Sequence, residues 1–371
     1  MKREELAVAT NKTHIYEPLF HVVKRDTIPL YKSMLIRVIA VAAGLLLCSL
    51  LSLILINANP VEFIETLMDA SFGSERRMWK FAKDSAVLLC IALAITPAFR
   101  MKFWNIGAEG QVLIGALAAV AVAFYMGNSV PNWALLVIMF FAAIIVGAIW
   151  GGIPAIFKAK WGTNETLFTL MMNYAASGIV AYFLVEWTPS GSSVLGELKV
   201  GHLPQVVHPY FIIILSVLVL TVLVSIYLNS TKQGYEISVV GESENTARYI
   251  GINVKKVIIR TMLVSGAVCG IAGFLIVAGL DHSISETTVG GSGFTAIMVS
   301  WLAKFNPIVM ILTAAFVTFL DQGASQMSTY FNIDSSFPDM VVGIVLFFII
   351  GCEFFINYKL KFRSFRKKEV Q

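Results

Sequence analysis

The sequence predicts an all-α, polytopic membrane protein of about ten transmembrane helices, and three observations carry that prediction. Of its 371 residues, 57% are hydrophobic and only 14% are charged, against about a quarter charged in a soluble domain. Several apolar runs last for roughly 20 residues, enough to cross a hydrocarbon core of about 30 Å as helix. None of these runs alternates apolar with polar residues, as the strands of a transmembrane barrel do.

The elements follow in order. Residues 1–33 are polar, charged and too long for a signal n-region, and the apolar run after them is too long for a signal core. They read as an uncleaved cytoplasmic extension. The transmembrane domain, 34–357, is expected to contain spans 34–56, 84–99, 106–126, 132–156, 165–187, 209–229, 258–280, 292–304, 306–321 and 338–357. Segment 60–83 sets Phe63, Ile64, Leu67, Met68, Phe72, Met78 and Trp79 among charges, the composition of an amphipathic helix at the outer interface. The 188–208 segment is rich in Gly, Ser and Pro and reads as an outer loop. Residues 358–371 form a basic cytoplasmic tail.

Charge orients this arrangement. With the N-terminus inside, ten spans return the C-terminus to the same side. All 28 Lys and Arg residues then fall inside except Arg76, Arg77, Lys80, Lys83 and Lys199, as the positive-inside rule requires. The net charge of +5 is therefore a topology signal and not the footprint of a nucleic-acid partner. The four cysteines, Cys48, Cys90, Cys269 and Cys352, stand singly in apolar runs, and the five histidines show no ligand spacing. Neither a zinc site nor a disulfide framework is expected, and no cofactor. The chain carries no paired catalytic set such as HExxH, and no GxxxxGK[ST] phosphate loop. Any coupling to ATP by that route must come from a partner.

The densest polar signal is Trp104-Asn105-Ile106-Gly107-Ala108-Glu109-Gly110-Gln111, set between two apolar runs. An ionised side chain at membrane depth costs roughly 2.5–3.5 kcal/mol on insertion scales. Such a cluster reads as the lining of a pathway. For Glu109 a rival reading stands beside this one, a carboxylate capping a helix start. A second polar entry, Thr163-Asn164-Glu165-Thr166, leads to Asn173 and Tyr174 within an apolar stretch. Asn173 is equally a lining residue or a helix–helix hydrogen-bond partner.

Two regions interrupt the spans. The second span is short and runs through Thr96-Pro97, and Gly290-Gly291-Ser292-Gly293-Phe294 opens a span of only about 13 residues. Short, Gly- or Pro-interrupted spans at matching places in two halves mark a central site in transporters. Five spans separate the two, so the halves are expected to be inverted repeats. Gly147-x-x-x-Gly151 and Gly266-x-x-x-Gly270 read as close helix-packing faces. An ion-coupled transporter would be expected to carry more intramembrane acids than this chain does.

Residues 230–260 form the longest inside loop. A short helix is expected at roughly 243–250, between glycines 241 and 251, with Asn253 capping the helix that follows. It is either a docking surface for another protein or a connector lying on the membrane.

With these residues in view, the chain resembles the permease subunits of ABC importers for nucleosides and simple sugars, relatives of the ribose and branched-chain amino acid permeases. Phe103-Trp104-Asn105-Ile106-Gly107-Ala108-Glu109-Gly110-Gln111 is similar to that family's signature, and the stretch from Gly241 to Asn253 to its coupling loop. Ser265 to Gly273, Gly293-Phe294-Thr295-Ala296-Ile297 and Asn306-Pro307 follow in the family's order. The resemblance, which covers about 34–357, implies a type II importer fold. It implies a pathway between this subunit and a second permease, a paralogue. Two ATP-binding subunits would seat on Gly241, Glu242, Asn245, Ala247, Arg248 and Gly251, within a coupling loop of 230–257. An extracellular lipoprotein would deliver a nucleoside, or alternatively a ribose-like sugar, across a bacterial plasma membrane. Asn105, Glu109, Gln111, Asn164 and Asn173 would offer hydrogen bonds along the pathway, and Trp104, Tyr174 and Phe294 would offer faces to a base or sugar ring.

Overall fold

The computed structural model describes residues 20–25, 29–56, 59–127, 129–188, 192–334 and 336–362. Most of the N-terminal extension and the last nine residues of the basic tail lie outside the described residues. Among those described, thirteen α-helices account for nearly all the regular structure: α1 (Leu30–Ile56), α2 (Pro60–Phe72), α3 (Glu75–Arg100), α4 (Ala108–Met126), α5 (Asn132–Trp161), α6 (Glu165–Trp187), α7 (Phe211–Ser230), α8 (Lys232–Glu242), α9 (Glu244–Tyr249), α10 (Val254–Ile276), α11 (Ser292–Leu302), α12 (Pro307–Tyr330) and α13 (Phe337–Asn357). Nine of them are long and apolar enough to cross a membrane, α10 being prolonged to Asp281 by a π-helical turn. The tenth expected span is α11. Its eleven residues extend about 16 Å, too little to cross alone.

Helix α10 is the core. It packs along α5, α4 and α3, and glycines set the distance. A Cβ on Gly147 would lie 2.5 Å from the Gly266 carbonyl oxygen and 3.0 Å from the Gly270 Cα. One on Gly151 would lie 3.0 Å from the Gly266 Cα, and one on Gly115 2.6 Å from the Gly270 Cα. The two GxxxG faces therefore pack on each other, and α4 closes on the same glycine from the other side. Lipid tails give no hydrophobic drive to helix association, so close backbone approach supplies the contact energy.

Four expectations need correction. The second span is not short: α3 has 26 residues, and Pro97 lies inside it. Its first turns carry Glu75, Arg76, Arg77, Lys80 and Lys83, and Ser74 caps it by accepting from Arg77 N at 3.3 Å. Only 60–72 of the outer segment is thus a separate helix, α2, and it is more than an interfacial one. Its Phe63 and Leu67 are buried, and Leu67 lies against Gly323 of α12. The third correction is α8, which occupies what reads in the sequence as plain loop. The fourth is a two-stranded antiparallel ribbon outside the helical body, β1 (Phe20–Lys24) with β2 (Tyr358–Phe362). It ties the extension to the tail, and Arg25 N donates to Asn357 O at 2.8 Å. Beside it Arg37 of α1 and Lys304 both pair with Glu353 of α13, at 2.6 and 3.1 Å.

Candidate functional site

The α3–α4 loop is a compact knot of amides. Asn105 and Gln111 are fully buried. Asn105 Nδ2 donates to Gln111 Oε1 at 3.3 Å and to Ser265 Oγ of α10 at 3.4 Å, while Asn105 Oδ1 accepts from Gln111 Nε2 at 3.2 Å and from Gly107 N at 3.0 Å. The first turn of a helix leaves backbone N–H groups without partners. Here α6 supplies one: Asn173 Oδ1 accepts from Gly110 N at 2.9 Å, and Asn173 Nδ2 donates back to Ile106 O at 3.0 Å. Thr169 Oγ1 accepts from Ile106 N at 3.2 Å. Asn105 and Asn173 thus satisfy backbone that the bilayer would leave unpaired, and Gln111 holds Asn105 in place.

Glu109 projects from this knot to a second helix start. Its two carboxylate oxygens accept from Gly291 N and Gly293 N, each at 2.8 Å. Gly290 and Gly291 hold φ of 59° and 80°, the left-handed region that a side chain disfavours, and this turn aims the N–H groups of α11 at α4. A Cβ on Gly293 would lie 2.6 Å from Glu109 N, so the two helix starts touch. Both present the positive end of a helix dipole, and the carboxylate lies between them in a charge-assisted pair of hydrogen bonds. The Asn105–Gln111 cluster and the Gly290–Phe294 turn therefore meet start to start inside the bundle. At its other end α11 is tied to α3 through Thr96 Oγ1 and Ser300 Oγ, 3.1 Å apart.

Around this junction some candidate residues face outward. Tyr174, next to Asn173, is 69% exposed; Phe294, next to Gly293, is 42% exposed; Trp104, next to Asn105, is 44% exposed. The structure thus divides the candidates: Asn105, Glu109, Gln111 and Asn173 build the junction, and three aromatic neighbours surface beside it. Asn164 belongs to neither group. It is exposed and caps α6, accepting from Leu167 N at 3.2 Å. Trp301, which no sequence feature singled out, joins the outward set, its ring 5.4 Å from that of Trp104. The four-residue spacing from Ile297 hides it among ordinary apolar positions of α11.

The loop helices lie directly behind this knot. Gly241 ends α8 against the Arg100 carbonyl, and Arg100 Nη1 donates to Asn229 Oδ1 at 3.0 Å. Val240 and Glu244 face Met101, Lys102 and Phe103 across a cleft of about 70 Å³. Ser243 caps α9, accepting from Thr246 N at 3.2 Å, and Asn253 caps α10, accepting from Lys256 N at 3.1 Å. Gly251 turns between them at φ 84°. Of α9 itself only Ala247 is buried. Glu242, Glu244, Asn245 and Arg248 are exposed, Arg248 pairing with Glu244 at 3.0 Å. Tyr249 is 91% exposed, with Ile250 beside it. Tyr249 and Ile250, at and just past the end of a helix that only its base ties down, form an open surface; neither stood among the sequence candidates.

A helical membrane body, two helix starts meeting inside it and a small helix pair at one end suit a membrane transport component. The chain belongs to the family of permease components of branched-chain amino acid transport systems, which matches residues 78–350. Several of its relatives are permeases of ABC transporters. A glucose ABC transporter permease of Haloferax volcanii is 27% identical over 91% of this chain and 92% of its own. A guanosine ABC transporter permease of Bacillus subtilis is 27% identical over 89% and 95%. A nucleoside ABC transporter permease of Lactococcus lactis is 25% identical over 86% and 91%. The chain is thus a multi-pass ABC importer permease, a transport component.

Proposed function

We propose that this permease passes nucleosides across a bacterial plasma membrane by alternating access, with both termini in the cytoplasm. The observation that carries this reading is the aromatic set Trp104, Tyr174 and Phe294, exposed beside a junction of helix starts. Aromatic faces suit a base, since stacking on one is worth about 1–3 kcal/mol in nucleic-acid sites. The guanosine and nucleoside relatives agree with it. In this reading Asn105, Glu109, Gln111 and Asn173 hold the wall that the aromatic residues face from. The pathway runs between this subunit and a second, paralogous permease, and Asn164 stands at its inner rim. An extracellular lipoprotein delivers the solute. Two ATP-binding subunits hydrolyse ATP and seat on α9 through Glu242, Asn245, Arg248 and the exposed Tyr249, while Gly241, Ala247 and Gly251 shape that helix. A simple sugar is the second reading, favoured by the glucose relative.

Uptake of labelled nucleosides and pentoses by cells lacking the gene, with and without the chain restored, tests the substrate. Nucleoside uptake returns with the wild-type chain and falls severalfold with Tyr174→Ala or Phe294→Ala. Restored pentose uptake with no nucleoside uptake decides for the sugar.

A further inference from the structure

Helix α3 ends beside α8, so its first turns stand at the opposite end of the bundle, about 39 Å away along a 26-residue helix. There they meet the start of α7 around a cavity of about 810 Å³. Arg76, Arg77, Lys80 and Lys83 line it with a single carboxylate, Glu75. Arg77 pairs with Asp69 and Lys83 with Asp84; Arg76 and Lys80 are exposed and make no ion pair among the described residues. The remaining walls are aromatic. Trp79 stacks on His208 with ring centroids 4.2 Å apart, and Lys83 Nζ lies 5.4 Å from the Tyr210 ring. Trp and Tyr beside basic residues are the composition of the headgroup layer.

Deeper on the same two helices the chemistry changes. A groove of about 180 Å³ runs between Ala86 and Leu89 of α3 and Ile214 and Leu218 of α7, with Ile311 of α12 on its rim. Leu218 and Ile311 are exposed, so the groove opens sideways towards the bilayer. Ser85 lines this groove, and its hydroxyl is buried without a hydrogen-bond partner.

We infer that the α3–α7 seam holds an anionic phospholipid, with its phosphate among Arg76, Lys80 and Lys83 and an acyl chain in the groove. Cations among interfacial aromatics bind an anionic headgroup, the groove covers apolar chain, and an acyl ester entering the groove offers Ser85 its acceptor. A soluble anion leaves the groove unused, and so does an acidic protein surface. The inference rests on no assignment of the transported solute.

The test uses the assembled complex in nanodiscs of phosphatidylglycerol and phosphatidylcholine in equal parts, with lipid retained after a detergent wash counted by mass spectrometry. The wild type retains phosphatidylglycerol over phosphatidylcholine. Arg76→Ala with Lys80→Ala lowers that preference roughly tenfold, about 1.4 kcal/mol, without moving the thermal unfolding midpoint. Leu218→Trp, which fills the groove and spares every cation, lowers retention as well. Equal retention by wild type and the double variant overturns the inference. So does a Leu218→Trp protein that retains lipid normally while the double variant loses it, since the cavity then binds a headgroup or free phosphate alone. Unchanged lipid with lost capture of an acidic protein partner overturns it in favour of a protein-docking site.

Discussion

Glu109 shows how one side chain resolves a conflict that the membrane imposes. A carboxylate inside a bilayer protein is costly when it is alone, and so are the unpaired N–H groups of a helix that begins within the bundle. Bringing the two together removes both costs, and the bonds to Gly291 and Gly293 do this across 182 and 184 residues of chain. Removing the acceptor restores the second cost. Leaving a buried donor unpaired is worth about 1–3 kcal/mol, so Glu109→Ala is expected to lower the unfolding midpoint of the purified complex clearly. Glu109→Gln keeps one acceptor, loses the charge and turns an NH2 towards one of the donors, and should fall between. Glu186→Ala, at an exposed acid of α6, serves as the control. Equal midpoints for Glu109→Ala and Glu186→Ala would show that the carboxylate holds nothing in place.

Among the elements, the α5–α10 pair sets the architecture, because the glycines on its two faces let backbone touch backbone. Gly147→Leu would drive a side chain into the Gly266 carbonyl, 2.5 Å from where a Cβ begins. Overpacking of this kind costs typically 1–3 kcal/mol, and the expected result is a lower unfolding midpoint and poor membrane accumulation. Gly178→Leu, at a glycine of α6 with open space around it, should accumulate normally. A Gly147→Leu protein indistinguishable from Gly178→Leu would remove these glycines from the packing. This contact was legible in the sequence because small residues at a four-residue spacing are a local sign. So were the apolar runs, the half-length of α11, the end of α9 at Gly251 and the Asn253 cap of α10, though not the Ser243 cap of α9. The start of α3 was not, since Arg76, Arg77, Lys80 and Lys83 set it apart from the apolar run that it continues into and gave it to an interfacial helix instead. Nor was α8, whose polar residues carry little period over eleven positions. At the site, the sequence marked the Asn105–Gln111 cluster and the Gly290–Phe294 turn but not their meeting, as neither segment's local pattern names the other. It also offered buried amides and exposed aromatics as one set, because burial depends on where α6 and α11 come to lie.

Across the whole molecule, a continuous line of contacts joins the exposed helix α9 to the junction at the centre. Gly241 rests on the Arg100 carbonyl at the end of α3. From Arg100 the chain runs into the loop that places Asn105, and Asn105 bonds Gln111 and Ser265. Glu109 then carries the line to α11. Coupling between distant sites needs such packed contacts together with an element that has two arrangements; under the proposed function the pair of helix starts, shifted from behind by α8, would be that element. This separates docking from transmission, which one substitution each can isolate. Arg248→Glu places a second acid beside Glu244 on the open face of α9 and should weaken capture of the ATP-binding subunits, lowering ATP hydrolysis and uptake together. Gly241→Val leaves that face intact but lifts α8 from Arg100. The complex should still assemble and hydrolyse ATP, while uptake per ATP falls severalfold in proteoliposomes. If hydrolysis and uptake fell in the same proportion in Gly241→Val, the contact with Arg100 would serve assembly alone and the line from α9 to Glu109 would carry no motion.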